Sequence, residues 1–120
     1  MRIGELAERT GVPARLLRYY EEQNLLEPAR EPNGYRDYGD HLVDRVIQIR
    51  GLLDAGVPTR IIREILPCLD GDPDEIHVTR ASPDLIADLE SHRDQMDARI
   101  RCLARNRDAI TAYINTVRHP

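Results

Sequence analysis

Phenylalanine, tryptophan and lysine are absent from this 120-residue sequence, and cysteine and methionine occur only twice each. Without Phe or Trp, any core has to be aliphatic and modest, and a small aliphatic core often leans on a partner chain. Two cysteines fall short of the roughly four clustered thiolates that an iron–sulfur site needs. No apolar run is long enough to span a bilayer, and residues 1–5 lack the apolar stretch of a signal peptide, so a cytoplasmic location away from membranes is expected. No Ser-His-Asp arrangement, glycine-rich phosphate loop or His-Glu metal motif is visible, which argues against an enzyme. The length suits one small domain plus one long element rather than two full cores.

Apolar residues make up 41% of the chain, enough to fold, and the formal net charge is −4. An acidic total counts against simple nucleic-acid binding, because basic patches drive phosphate affinity. Distribution matters more than the sum. All 17 basic residues are arginine, the better bidentate donor to phosphate and guanine. Arginine excess also follows from a GC-rich genome. Of the five tyrosines, Tyr19, Tyr20, Tyr35 and Tyr38 crowd into the first 38 residues, interleaved with Arg15, Arg18, Arg30 and Arg36. Tyrosine suits half-buried contact surfaces; it also fills the core of a Phe-free domain.

Local patterns give a mainly α chain. Residues 3–9 read as a short helix with Ile3, Leu6 and Ala7 on one face. Gly11 permits a tight left-handed turn, Pro13 suits a helix start, and residues 14–23 form a second helix with Leu16, Leu17 and Tyr20 inward. Two short helices around a tight glycine turn outline a helix-turn-helix. Asn33-Gly34, where both residues tolerate positive φ, predicts a two-residue hairpin turn and hence a two-stranded wing within residues 25–38. In its second strand Tyr35 and Asp37 face one way, Arg36 and Tyr38 the other. Asp40 is placed to cap a third helix through Ala55, stopped by Gly56. Leu42, Val46, Ile49 and Leu53 form its buried stripe. A fourth helix opens at Val57-Pro58-Thr59, carries Ile61, Ile62, Ile65 and Leu66, and is expected to end at Pro67. Residues 67–81 are acidic and irregular and read as a linker, without calcium-loop spacing.

Ser82-Pro83-Asp84 supplies a cap, a helix-start proline and a first-turn acid, and nothing breaks the helix before Val117. Leu89, Met96, Leu103, Ile110 and Val117 recur every seven residues, with Leu85, Ile86, Ile100, Tyr113 and Ile114 beside them. A strict seven-residue repeat supports a coiled-coil seam. His92, Arg99 and Asn106 interrupt its second row and point to a specific register. A helix this long needs a partner to bury that seam, most simply a second copy. The expected division is therefore a DNA-binding domain over 1–66, a linker over 67–81, a dimerisation helix over 82–117 and a tail over 118–120.

The strings Ile3-Gly4-Glu5-Leu6-Ala7, Thr10-Gly11-Val12, Leu17-Arg18-Tyr19-Tyr20-Glu21, Leu25-Leu26 and Asn33-Gly34-Tyr35-Arg36, with Pro28, Arg30 and Tyr38, resemble the MerR family of bacterial transcription regulators. The likeness continues through Gly56, the Ile61–Leu66 helix and the long terminal helix, which resembles that family's antiparallel dimerisation helix. It implies a winged helix-turn-helix and a homodimer on double-stranded promoter DNA. The second helix would enter the major groove, with Arg15 and Arg18 at bases or phosphates. Tyr19 and Tyr20 match positions that meet the DNA backbone or support the helix, although Tyr20 and Tyr38 also suit the core. Arg36 matches a phosphate- or groove-contacting position supported by Tyr35 and Tyr38. Arg2 and Pro13 stand where relatives often carry a Ser or Thr cap. The family resemblance also implies a regulator that bends and untwists a promoter with overlong spacing so that RNA polymerase engages both elements.

No sensor is evident. Metal-sensing relatives carry a cysteine where Ser82 stands, and the chain ends in Val117-Arg118-His119-Pro120. Cys68 and Cys102 lack ligand-like spacing, and idle cytosolic thiols are the usual case; with His77 and His92 they are the one conceivable zinc set. No metal, cofactor or effector is assigned. An effector would bind between the linker, the start of the long helix and the partner chain. Two other readings of the residues stay open: an effector-free repressor or architectural DNA-binding protein, and a helical protein-interaction adaptor.

Overall fold

The computed structural model describes residues 1–69 and 82–120. Elements run in the order α1 (Ile3–Thr10), α2 (Ala14–Glu22), β1 (Ala29–Arg30), β2 (Arg36–Asp37), α3 (His41–Asp54), α4 (Thr59–Leu69) and α5 (Pro83–Arg118). The chain divides into two units, Met1–Arg80 and Ala81–Pro120. No described helix is long and apolar enough to cross a membrane.

In the first unit α1 packs on α2 and α3, and α3 packs on α4. The core is aliphatic except for two rings: Tyr20 and Tyr38 lie with Leu6, Leu17, Ile49 and Ile62 among the most buried side chains. Gly11 ends α1 at φ +73°, and its N–H donates to the Ala7 carbonyl. An L side chain there would strain the turn that sets α2 against α1. Asn24 (φ +61°) ends α2 in the same way. Its N–H reaches the Glu21 carbonyl and the Leu25 N–H the Tyr20 carbonyl, the paired bonds of a Schellman motif, with Leu25 buried beyond.

Several local expectations need correction. The wing turn is not the two-residue Asn-Gly type, because among the described residues only Asn24 combines a side chain with positive φ. Pro32 fixes a negative φ, and the Gly34 N–H donates to the Glu31 carbonyl while the Glu31 N–H donates to the Tyr35 carbonyl. That is a three-residue loop with Gly34 (φ +86°) in the left-handed position. β1 and β2 then pair antiparallel, Ala29 opposite Asp37 and Arg30 opposite Arg36. Asp40 stands before α3 but makes no side-chain cap, because its backbone is already helical (φ −58°, ψ −30°) and a capping residue needs extended backbone; its carboxylate pairs with Arg9 at 3.0 Å. α4 continues past Pro67 to Leu69, so residues 67–69 belong to a helix and not to a linker. Proline's φ is itself compatible with a helix. The rest of the expected linker, with His77, lies outside the described residues, as does the Cys68 side chain.

The second unit is one 36-residue helix, about 54 Å long at 1.5 Å per residue. Ser82 caps it, its hydroxyl accepting from the Leu85 N–H at 3.1 Å. No side chain of α5 is buried in the single chain. Ile100, Leu103, Ile110, Tyr113 and Val117 are each more than 60% exposed.

Candidate nucleic-acid interface

Helical spacing sorts the α2 side chains. Leu17 and Tyr20 point into the core, which turns Arg15, Arg18 and Tyr19 outward, all exposed. The Tyr19 ring lies 6.5 Å from the Tyr20 ring, tilted by 57°, so a buried ring backs an exposed one. Strand alternation does the same in the wing. Tyr38 is buried and Tyr35 exposed, while Arg36 turns toward α2, where its Nε donates to Glu21 Oε1 at 2.8 Å.

α2 and the wing thus border a cleft of about 340 Å³, lined among others by Arg2, Arg18, Glu21, Tyr35 and Arg36. Arg18 and Arg36, eighteen positions apart in sequence, meet at this cleft. Arg15 lies one turn earlier on α2, exposed and outside the lining. Tyr20 and Tyr38 carry the surface from behind and are only 1% exposed. Burial raises the Tyr38 phenol above its ordinary value of 10.0. The Tyr20 hydroxyl makes no hydrogen bond of good geometry, but it lies close enough to Arg50 to favour the charged guanidinium.

The wing is tied down from several sides. Arg30 donates to the Gly34 carbonyl at 3.2 Å, and Asn33 Oδ1 accepts from the Tyr35 N–H at 3.1 Å. The Met1 amino group donates to Asp37 Oδ1 at 2.6 Å and to the Tyr38 carbonyl at 2.9 Å. That contact holds the Asp37 carboxyl below its ordinary value of 3.8 and raises the Met1 amine above 8.0. Arg2, Glu21 and Glu31 also belong to this face, and sequence reasoning missed them. The one available signal was Arg2 standing where a capping hydroxyl is usual. Among the described residues no group of three or more His, Cys, Asp or Glu is placed to hold a metal ion. Cys102 is exposed on α5.

Comparison with known proteins agrees with this architecture. The family model described as MerR HTH family regulatory protein matches residues 1–68. The HTH-type transcriptional regulator HmrR of Rhizobium leguminosarum bv. viciae is 34% identical over 115 residues, covering 96% of this chain and 84% of that protein. Among solved structures, a transcription regulator from Ralstonia metallidurans in complex with lead(II) is 25% identical, with a TM-score of 0.60 over 98% of this chain and 85% of that one. HiNmlR, a MerR family regulator lacking the sensor domain and bound to promoter DNA, shares the fold (TM-score 0.60, 24% identity, 90% of this chain and 78% of that one). The helix-turn-helix and the wing fall within the residues that the family model matches, and the long terminal helix falls within the span aligned with HmrR. The chain belongs to the MerR family of DNA-binding transcription regulators.

Proposed function

We propose that two copies of this chain pair through α5 and present two α2 helices to successive half-sites of promoter DNA in the cytoplasm. In each copy Arg15 and Arg18 reach base edges or flanking phosphates, Tyr19 packs on the backbone, and Tyr35 and Arg36 hold the wing against the adjacent phosphates. The observation that carries this reading is the convergence of Arg18 and Arg36 on one open cleft between α2 and the wing. A bidentate arginine–guanine pair there would give about 1–3 kcal/mol of discrimination. Two heads fixed to one paired helix would bend and untwist the DNA between half-sites, with deformation energy supplied by backbone contacts, and so set promoter spacing for RNA polymerase.

The pairing is supported by charge as well as by the seam of Leu85, Leu89, Met96, Ile100, Leu103, Ile110, Tyr113 and Val117. Residues 83–98 carry five acids and one arginine, whereas residues 99–118 carry five arginines and one acid. Antiparallel copies set each acidic half against a basic half; parallel copies would set like against like.

The test is a titration of the full chain on the DNA upstream of its own gene and on scrambled DNA at several salt concentrations. Preference for the upstream fragment, lost on Arg18→Ala and reduced on Arg36→Ala, is the expected result. Equal binding to both DNAs would remove the reading.

A further inference from the structure

Arg2 occupies the N-cap of α1 with extended backbone (φ −82°, ψ 164°), and its side chain makes no cap bond. A hydroxyl, amide or carboxylate at this position would accept from a free N–H of the first turn; arginine has only donors. The guanidinium instead leaves its own helix and grips the wing at three points. One terminal nitrogen donates to the Glu31 carboxylate at 3.1 Å. The other donates to the Arg36 carbonyl at 3.3 Å. The guanidinium carbon stands over the Tyr35 ring, 4.8 Å from its centre. One side chain therefore contacts the wing just before its turn, the residue just after it and the backbone of the strand that carries Arg36.

We propose that Arg2 is a positioning residue of the DNA-binding face: it gives up helix capping to clamp the wing, and so fixes where Tyr35 and Arg36 meet DNA. The inference rests on the proposed contact between wing and DNA. It has a signature that a plain stabilising role lacks. Replacing Arg2 by a good cap strengthens α1 and loosens the wing, so stability and DNA affinity move in opposite directions. Glu31 supplies a second signature. If Arg2 clamps, removing Glu31 releases the wing and weakens binding. If Arg2 is a phosphate contact that Glu31 masks, removing Glu31 frees a cation and tightens binding.

Three measurements on full-length Arg2→Asn and Glu31→Ala test this: thermal unfolding, amide hydrogen exchange over residues 30–37, and binding to the upstream DNA fragment. Arg2→Asn should unfold at the wild-type temperature or above, exchange faster in the wing and bind about two- to fivefold more weakly, the range of an exposed charge-assisted contact. Glu31→Ala should also exchange faster and bind more weakly. Unchanged wing exchange in Arg2→Asn overturns the proposal without reference to DNA. Tighter binding by Glu31→Ala overturns it too, as does an affinity loss in Arg2→Asn that only follows a fall in unfolding temperature. If Arg18→Ala and Arg36→Ala bind like wild type while Arg2→Asn still loosens the wing, the DNA-contact reading fails and the clamp stands as a purely structural one.

Discussion

Substitution of Leu103 by aspartate measures how much of the DNA-binding device lies in α5. Leu103 is 64% exposed in the single chain. Full burial of a leucine side chain contributes about 1.5–3 kcal/mol, so covering the exposed two-thirds contributes about 1–2 kcal/mol. A homodimer counts the position twice, giving about 2–4 kcal/mol. Aspartate forfeits that gain and adds the desolvation of two carboxylates at the seam. The dimer dissociation constant should then rise by at least about 30-fold, since each 1.4 kcal/mol is a factor of ten. Sedimentation velocity over a dilution series reads the change directly. The first unit has its own core, so its circular dichroism and thermal unfolding should persist. Promoter affinity should fall with the dimer fraction and recover at high protein concentration. An unchanged dimer across the dilution series would refute the seam, and full promoter affinity from a demonstrated monomer would refute the need for two heads.

Gly34→Ala places a side chain at φ +86° with no atom within 4 Å of the new Cβ. The cost is conformational, about 1–2 kcal/mol, and Gly34→Asn should recover part of it; thermal unfolding in which alanine equals glycine would contradict the turn assignment. Tyr38→Phe removes a buried hydroxyl without a hydrogen-bond partner, so stability should stay level or rise by up to about 1 kcal/mol, and a clear fall on denaturant unfolding would show a missed partner. The Asp37–Met1 contact sets two pH limits. Its depressed carboxyl contributes fully above about pH 3.8 and loses that contribution as pH falls through the lowered value; the raised amine contributes below about pH 8.0 and loses it as pH rises through the raised value. Asp37→Asn should flatten both arms of the stability profile, and a wild-type profile in the variant would disprove the pairing.

Local signals carried most of the architecture. Gly11 and the cap at Ser82-Pro83 bound their helices because each acts on backbone within four residues of it, and the seven-residue repeat marked α5 because every turn repeats it. The misses have separate causes. Asp40 reads as a cap, but its backbone is already helical and cannot take the extended conformation a cap needs. Asn33-Gly34 reads as a two-residue turn until Pro32 fixes the loop a residue longer. Pro67 reads as a stop, yet the helix tolerates it near its end. Within the candidate interface, the family resemblance pointed to Arg15, Arg18 and Tyr19, and helical spacing turns them away from buried Leu17 and Tyr20. The Arg36–Glu21 pair and the reach of Arg2 to Glu31 join residues 15 and 29 positions apart, and no periodicity within one element encodes them.

The opposed charge halves of α5 have a consequence for anyone reading salt titrations of this protein. In the proposed dimer, phosphate contacts would weaken with salt through released counterions, and the acidic-on-basic pairing of two α5 helices would be screened by the same ions. At protein concentrations where dimers dissociate, both equilibria shift together and the observed slope exceeds the number of phosphates touched. Only titrations well above the dimer dissociation constant would count contacts with DNA alone; the excess slope at dilution would report the proposed charge pairing between copies.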